Sequence, residues 1–333
     1  MILCQISLSA EKEKKSLEER AREALREQTQ PEDILTMFER DYILLKRCRF
    51  EMEEIFSYVF YSANTIYLES FAILDPVFLT LGEFGVERAR RSIFTNILSF
   101  RYGLRDYLQL DVIVPYIYRH DRMVVVETGT ERSIQTANIG DISFNLTYQP
   151  VREGRAKPAI LTILGFKTKT GISPFTIDPI EDIPTGSGYY SVKFGFTFIK
   201  SVDPAVIFAN ISYAYNIKET GLDTAVITEQ EVYRFQAVDP GDTISASLGI
   251  SYAITYNFSI SFQLLQDYTM DTYVWVNGEK RRSINSSTNL GMFKFNAGWA
   301  LSPRTGLNLG VAIGLTEDSP DYSLEIRIPI RFF

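Results

Sequence analysis

The segment at residues 321–333, DYSLEIRIPIRFF, alternates strictly. Tyr322, Leu324, Ile326, Ile328, Ile330 and Phe332 are large and apolar, while Ser323, Glu325, Arg327, Pro329 and Arg331 lie between them. A period of two is the period of a β-strand, whose successive side chains point to opposite faces. A strand so divided needs an apolar medium on one side and a polar one on the other.

The same pattern recurs from about residue 50 onward. Leu108, Leu110, Val112, Val114, Tyr116 and Tyr118 alternate with Gln109, Asp111 and Arg119. Tyr190, Val192, Phe194, Phe196 and Phe198 alternate with Ser191, Lys193, Gly195 and Thr197. Ile244–Tyr252 and Leu307–Leu315 behave alike. Each run has roughly ten residues, the length a tilted strand needs to cross a bilayer. No apolar stretch reaches the ~18 residues of a spanning helix.

The connections alternate in length. Those at 103–106, 150–158, 201–204, 256–257 and 302–304 are tight; those at 62–83, 120–137, 173–187, 218–242 and 271–287 are long and polar, with a shorter one at 317–320. Short turns at one rim and long loops at the other mark an outer-membrane barrel. The expectation is an all-β transmembrane barrel of about twelve antiparallel strands over residues 50–333. A soluble sandwich also alternates, but its solvent face is rich in Lys, Glu and Thr. Here that face carries Ser, Gly, Asn and Thr with scattered charges. Tyr116, Tyr118, Tyr148, Tyr190, Tyr213, Tyr215 and Tyr252 collect at strand ends like an aromatic girdle.

With the apolar parity toward lipid, the expected lumen residues are Glu51, Glu53, Gln109, Asp111, Arg119, Asp141, Lys167, Lys169, Lys193, Lys294, Glu325, Arg327 and Arg331. Mixed charges inside a barrel either tune solute preference or pair across strands and fill the interior. The net charge of −7 gives no basic footprint for nucleic acid. The single histidine, His120, is read at the start of a loop, with no Ser–Asp set around it. Cys4 and Cys48 lie outside any CxxC. No catalytic, cofactor or metal site is therefore expected.

The N-terminal part differs. Residues 1–10 are read as the remnant of a secretory signal peptide, with Ser7-Leu8-Ser9-Ala10 before a cleavage point at Glu11, or else as a short apolar tip. A lipoprotein role for Cys4 is the weaker reading, since almost no apolar run precedes it. Residues 11–30 make a helical arm with a thin stripe of Leu17, Ala21, Ala24 and Leu25. It either self-associates or docks, or is a solvated, frayed helix. Residues 31–49 form a second helix and linker. Pro31, Glu32 and Asp33 start it, Ile34, Met37 and Phe38 give its apolar face, and the chain becomes extended by Leu44 and Leu45.

Certain stretches resemble a known family. Phe100–Asp106 with Leu108–Arg119, the "GD" of Ile139-Gly140-Asp141-Ile142 and the "PTG" of Ile183-Pro184-Thr185-Gly186-Ser187-Gly188 resemble the "phenol meta-pathway" outer-membrane barrels. Tyr42–Leu45, Phe50–Glu53 and Phe56–Tyr58, preceded by a helix, look like the plug-to-strand junction of Fap-type functional-amyloid secretion channels. That layout implies a channel passing secreted polypeptide from periplasm to surface, gated by Ile34, Met37, Phe38, Leu44 and Leu45, with an N-terminal arm in the periplasm and a homotrimeric assembly. The broader family implies instead a passive, porin-like transporter of small or aromatic solutes. The barrel would sit in outer-membrane lipid. Its terminal Phe332 and Phe333 resemble the signal read by the barrel insertion machinery, with Phe333 off the alternating parity. Lys46-Arg47-Cys48-Arg49 departs from the family's usual Pro-Arg/Lys-Gly entry into the first strand.

Overall fold

The computed structural model describes residues 44–63, 86–125, 131–177, 182–227, 232–283 and 286–332. The expectations for residues 1–43, including Ile34, Met37 and Phe38, and for Phe333 lie outside them. Seventeen strands form: β1 (Phe50–Ala63), β2 (Val86–Arg105), β3 (Leu108–Val125), β4 (Glu131–Ile139), β5 (Ser143–Val151), β6 (Ala159–Lys167), β7 (Ser191–Val202), β8 (Ala205–Asn216), β9 (Glu219–Ile227), β10 (Val232–Asp239), β11 (Thr243–Thr255), β12 (Phe258–Thr269), β13 (Tyr273–Val276), β14 (Glu279–Arg282), β15 (Thr288–Ala300), β16 (Gly306–Gly314) and β17 (Tyr322–Phe332).

Thirteen of them join in one antiparallel sheet, in the order β2-β1-β17-β16-β15-β12-β11-β8-β7-β6-β5-β3-β4, and the β2–β3 pairing closes it. β4 and β5 are two pieces of one stave, because both pair with β3. The break falls opposite Pro115, which has no N–H for the ladder; there Gly140 N–H donates to the Pro115 carbonyl at 2.8 Å. The barrel therefore has twelve staves. The terminal strand closes it as its alternation implies, running Phe50↔Phe332 through Phe60↔Tyr322 against β1. Closure removes the edge whose N–H and C=O groups lipid cannot satisfy.

The apolar parity faces outward. Phe94, Leu164, Phe194, Ile211, Leu248, Leu264, Val311 and Leu324 are all exposed, as are six of the seven expected girdle tyrosines on strands and Tyr190 at the start of its run. Aromatic contacts knit both edges of this belt: Phe50 with Phe332 at 5.7 Å at one, Phe60 with Tyr322 at 5.4 Å at the other. A belt of this kind is stable only against hydrocarbon.

Three of the long connections are not the plain loops expected. β3 runs on to Val125 and β4 begins at Glu131, so His120 lies within a strand; its Nε2 is 2.7 Å from the Ser133 hydroxyl. Residues 218–242 and 271–287 supply β9, β10, β13 and β14, a separate four-stranded sheet at the long-loop rim. The β13–β14 turn is Asn277-Gly278 with φ of 51° and 85°, the left-handed pair a type I′ hairpin requires. The strands of this hairpin are short, and Tyr273–Val276, YVWV, is uniformly apolar with no alternation to mark it as half-buried. One face of this sheet packs Phe235, Val238, Val274 and Val276 on Phe175 from the β6–β7 connection.

Candidate functional site: the lumen

The inward parity of the staves builds a lumen with two unlike walls. On β1, β2, β15 and β17 it is charged and paired. Glu51 and Glu53 are successive inward residues of β1, 1% and 2% exposed. Arg101 on β2 reaches both, Nη1 to Glu51 and Nη2 to Glu53, each at 3.4 Å. Arg331 on β17 adds a second cation to Glu51 at 3.1 Å. Guanidinium forks thus bridge the two neighbouring carboxylates. Farther up β17, Glu325 accepts from Lys294 at 2.9 Å and also pairs with Arg327. On the extended β2–β3 hairpin, Asp121 is clamped by Arg91 at 2.8 Å and Arg119 at 2.7 Å.

On β7, β8, β11 and β12 many inward residues are small and uncharged. Thr197, Ser212, Ser251 and Ser259 are buried, and Asn210 bonds Thr197 at 2.7 Å. The open space reaches both walls, with Arg101, Asp111, Lys294 and Arg327 lining it as well as Thr197, Asn210 and Ser259. One cavity of about 500 Å³ is lined by Ile113, Asn145, Ile163, Lys193, Phe208 and Leu265 among others. A second of about 600 Å³ toward the long-loop rim is lined by Ile117, Lys167, Tyr189 and Asn216. Ile113, Asn145 and Lys193 line both. Lys193 has no ion pair or hydrogen bond among the described residues, unlike the lumen cations above. Asp267, on β12, also lines the first cavity. It stands three staves round the wall, about 14 Å at normal strand spacing, and one inward row away.

At the long-loop end, Asp141 gathers the β6–β7 connection. Its carboxylate accepts from Ser187 N at 2.8 Å, Ser187 Oγ at 2.6 Å and Gly171 N at 3.1 Å, with Lys167 Nζ at 3.7 Å. Thr185 Oγ1 donates to the Ile139 carbonyl at 3.0 Å. The two short family-like motifs, around Gly140-Asp141 and Pro184-Thr185-Gly186, thus form one knot. Its density requires glycine: a Cβ on Gly171 would stand 2.6 Å from the Gly186 Cα.

At the short-turn end, residues 44–49 cross the rim. Leu44 packs on a buried inward patch of Ala159, Leu161, Ile199, Val206 and Phe208. Leu45 N–H donates to Gln109 Oε1 at 2.8 Å and Arg47 N–H to Asp106 Oδ1 at 2.9 Å. Gly103 exchanges backbone bonds with Cys48 and Arg49; a Cβ there would sit 2.2 Å from the Lys46 carbonyl oxygen.

Of the lumen residues expected from sequence, Glu51, Glu53, Gln109, Asp111, Arg119, Asp141, Lys167, Lys193, Lys294, Glu325, Arg327 and Arg331 occupy inward or lumen-facing positions. Lys169 does not: it lies past the end of β6, where the ladder has stopped, and pairs with Glu219 at 2.8 Å beside the Tyr190 ring. Arg91, Arg101, Asp121 and Asp267 were missed. The parity against Phe94, Phe100 and Tyr268 was the signal that could have found three of them.

Residues 80–332 match the protein family described as "Putative MetA-pathway of phenol degradation". The chain belongs to that family. The barrel of this phenol-degradation family member is similar to the crystal structure of the COG4313 outer membrane channel from Pseudomonas putida F1, with a TM-score of 0.63 at 12% identity over 88% of this chain and 98% of that one. Lower similarity is found with the transport unit of the autotransporter AIDA-I from Escherichia coli, with a TM-score of 0.49 at 10% identity over 86% of this chain and 91% of that one. The Ralstonia pickettii toluene transporter TbuX gives 0.42 at 8% identity, over 87% and 90%.

Proposed function

We propose that this family member is a passive outer-membrane channel for small solutes that join an apolar ring or chain to a polar or anionic group. The observation that carries this reading is Lys193. It is an unpaired cation shared by two cavities of about 500 and 600 Å³, each within the usual range of a small-molecule site. Ile113, Ile163, Phe208 and Leu265 line the first cavity with it and offer apolar contact, and Asn145 and Asn210 offer hydrogen bonds there. The family description, which names phenol degradation, supports an aromatic solute class.

The sequence led first to secretion of an unfolded, amyloid-type polypeptide. Ion pairs that hold much of the lumen charge, and cavities of about 500 and 600 Å³ between the staves, favour the small-solute reading instead. In this account the long-loop rim faces outside, and the insertion machinery reads Phe332 and Phe333. The segment Ile34–Leu45 acts at the inner mouth, where Leu44 already meets the wall. The chain is a conduit and not an enzyme. Liposome flux tests the reading: benzoate should enter faster than benzylamine of similar size. A barrel that passes neither would overturn it.

A further inference from the structure

The outward parity of β1 contains one residue that does not belong in lipid. Phe50, Met52, Glu54, Phe56, Tyr58 and Phe60 share that face. Glu54 stands midway between Phe50 in one aromatic girdle and Tyr58 in the other, about 13 Å along the strand from each. Its ladder neighbours on the same face are Leu98 and Ile328. Among the described residues, no other ionisable side chain lies on the outward face between the girdles. A carboxylate at that depth is costly in hydrocarbon, and such residues mark sites of contact or function.

Glu54 is not alone. Asn96, outward on β2, donates from Nδ2 to Glu54 Oε1 at 3.1 Å. Both residues are only partly buried. One amide N–H, the amide carbonyl and the second carboxylate oxygen have no hydrogen bond among the described residues. The pair therefore presents a donor beside an acceptor, and an identical pair satisfies both. Hydrocarbon supplies neither, whereas a second copy of the chain brings them in the required arrangement. In a symmetric pairing, Asn96 of each copy bonds Glu54 of the other.

We infer that the β1–β2 face centred on Glu54 and Asn96 is an in-membrane interface with a second copy of this chain. Met52, Phe56 and Leu98 form its apolar surround. The inference is independent of what passes through the lumen.

Site-specific photo-crosslinking in the outer membrane tests it, using the full chain with benzoylphenylalanine at Phe56 or, five of the twelve staves away, at Leu248. Irradiation should give a homodimer adduct from Phe56 and none from Leu248. The adduct should survive E54Q, whose amide N–H can donate to the Asn96 carbonyl of the other copy, and disappear in E54L/N96L while that variant stays heat-modifiable and folded. No adduct at Phe56, equal adducts at both positions, persistence in folded E54L/N96L, or an adduct only to a different protein would each overturn the proposal. Should E54L/N96L fail to fold, the Phe56-to-Leu248 comparison in the unaltered chain decides alone.

Discussion

Asp141 and Ser187, 46 residues apart, are joined twice: the serine's N–H and hydroxyl both donate to one carboxylate oxygen, at 2.8 and 2.6 Å. That contact ties the β6–β7 connection to the break in the neighbouring stave. Asp141→Ala removes the carboxylate that accepts from Ser187 and Gly171. The expected result is faster hydrogen exchange over residues 171–188, equivalent to about 2–3 kcal/mol of local stability for lost charge-assisted bonds. Barrel melting should stay nearly unchanged, because the twelve-stave ladder does not depend on the loop. Exchange that is unaltered there would show the knot to be incidental.

Arg101 stands between two carboxylates that face the same lumen. Arg101→Ala removes that guanidinium from both Glu53 and Glu51, while Arg331 stays on Glu51. Stripping one partner from a buried ion pair costs about 3–5 kcal/mol, and the urea midpoint for unfolding should fall accordingly. Adding Glu51→Gln and Glu53→Gln should return much of the loss. A triple variant no more stable than the single one would show that the charges were not the cause.

These two cases mark how far the sequence could be read. The staves, their inward and outward faces and the closing β1–β17 pair follow from a period of two, which a single strand carries within itself. The Glu51–Arg101 contact needs the register of two strands. Parity limits Arg101 to the inward face, but only the ladder Glu51↔Arg101 brings the two opposite. The Asp141–Ser187 knot is less legible still, because it depends on the path of an irregular connection. The sheet of β9, β10, β13 and β14 was hidden because YVWV carries no alternation, although Asn277-Gly278 was a readable hairpin signal. Glu54 was visible as a break in EMEEIF, but its meaning depends on Asn96, a neighbour that only the fold supplies.

Leu44 is the described residue that covers the apolar patch inside the short-turn rim. Leu44→Asp should weaken that seating, since Leu161, Val206 and Phe208 offer no hydrogen bonds to a carboxylate. Single-channel recordings should then show larger or more frequent openings than the unaltered chain. Identical records would remove residues 44–49 from any part in closing the inner mouth.

The terminal aromatics make a separate prediction about assembly. Phe332 faces outward and packs on Phe50, so Phe332→Ser should reduce the heat-modifiable, folded fraction in the membrane. Deleting Phe333 alone should be tolerated. Equal losses in the two variants would contradict a parity-based signal.

The central claim is that solute choice rests on the unpaired lumen lysine. Its most direct test is the reversal potential of the full-length chain in planar bilayers under a KCl gradient, compared with Lys193→Glu. A one-residue reversal of charge where the two cavities meet should move the potential from the chloride side toward the potassium side. Benzoate flux into liposomes should fall in parallel. A reversal potential unchanged by Lys193→Glu, in a variant that still folds and conducts, would contradict the account.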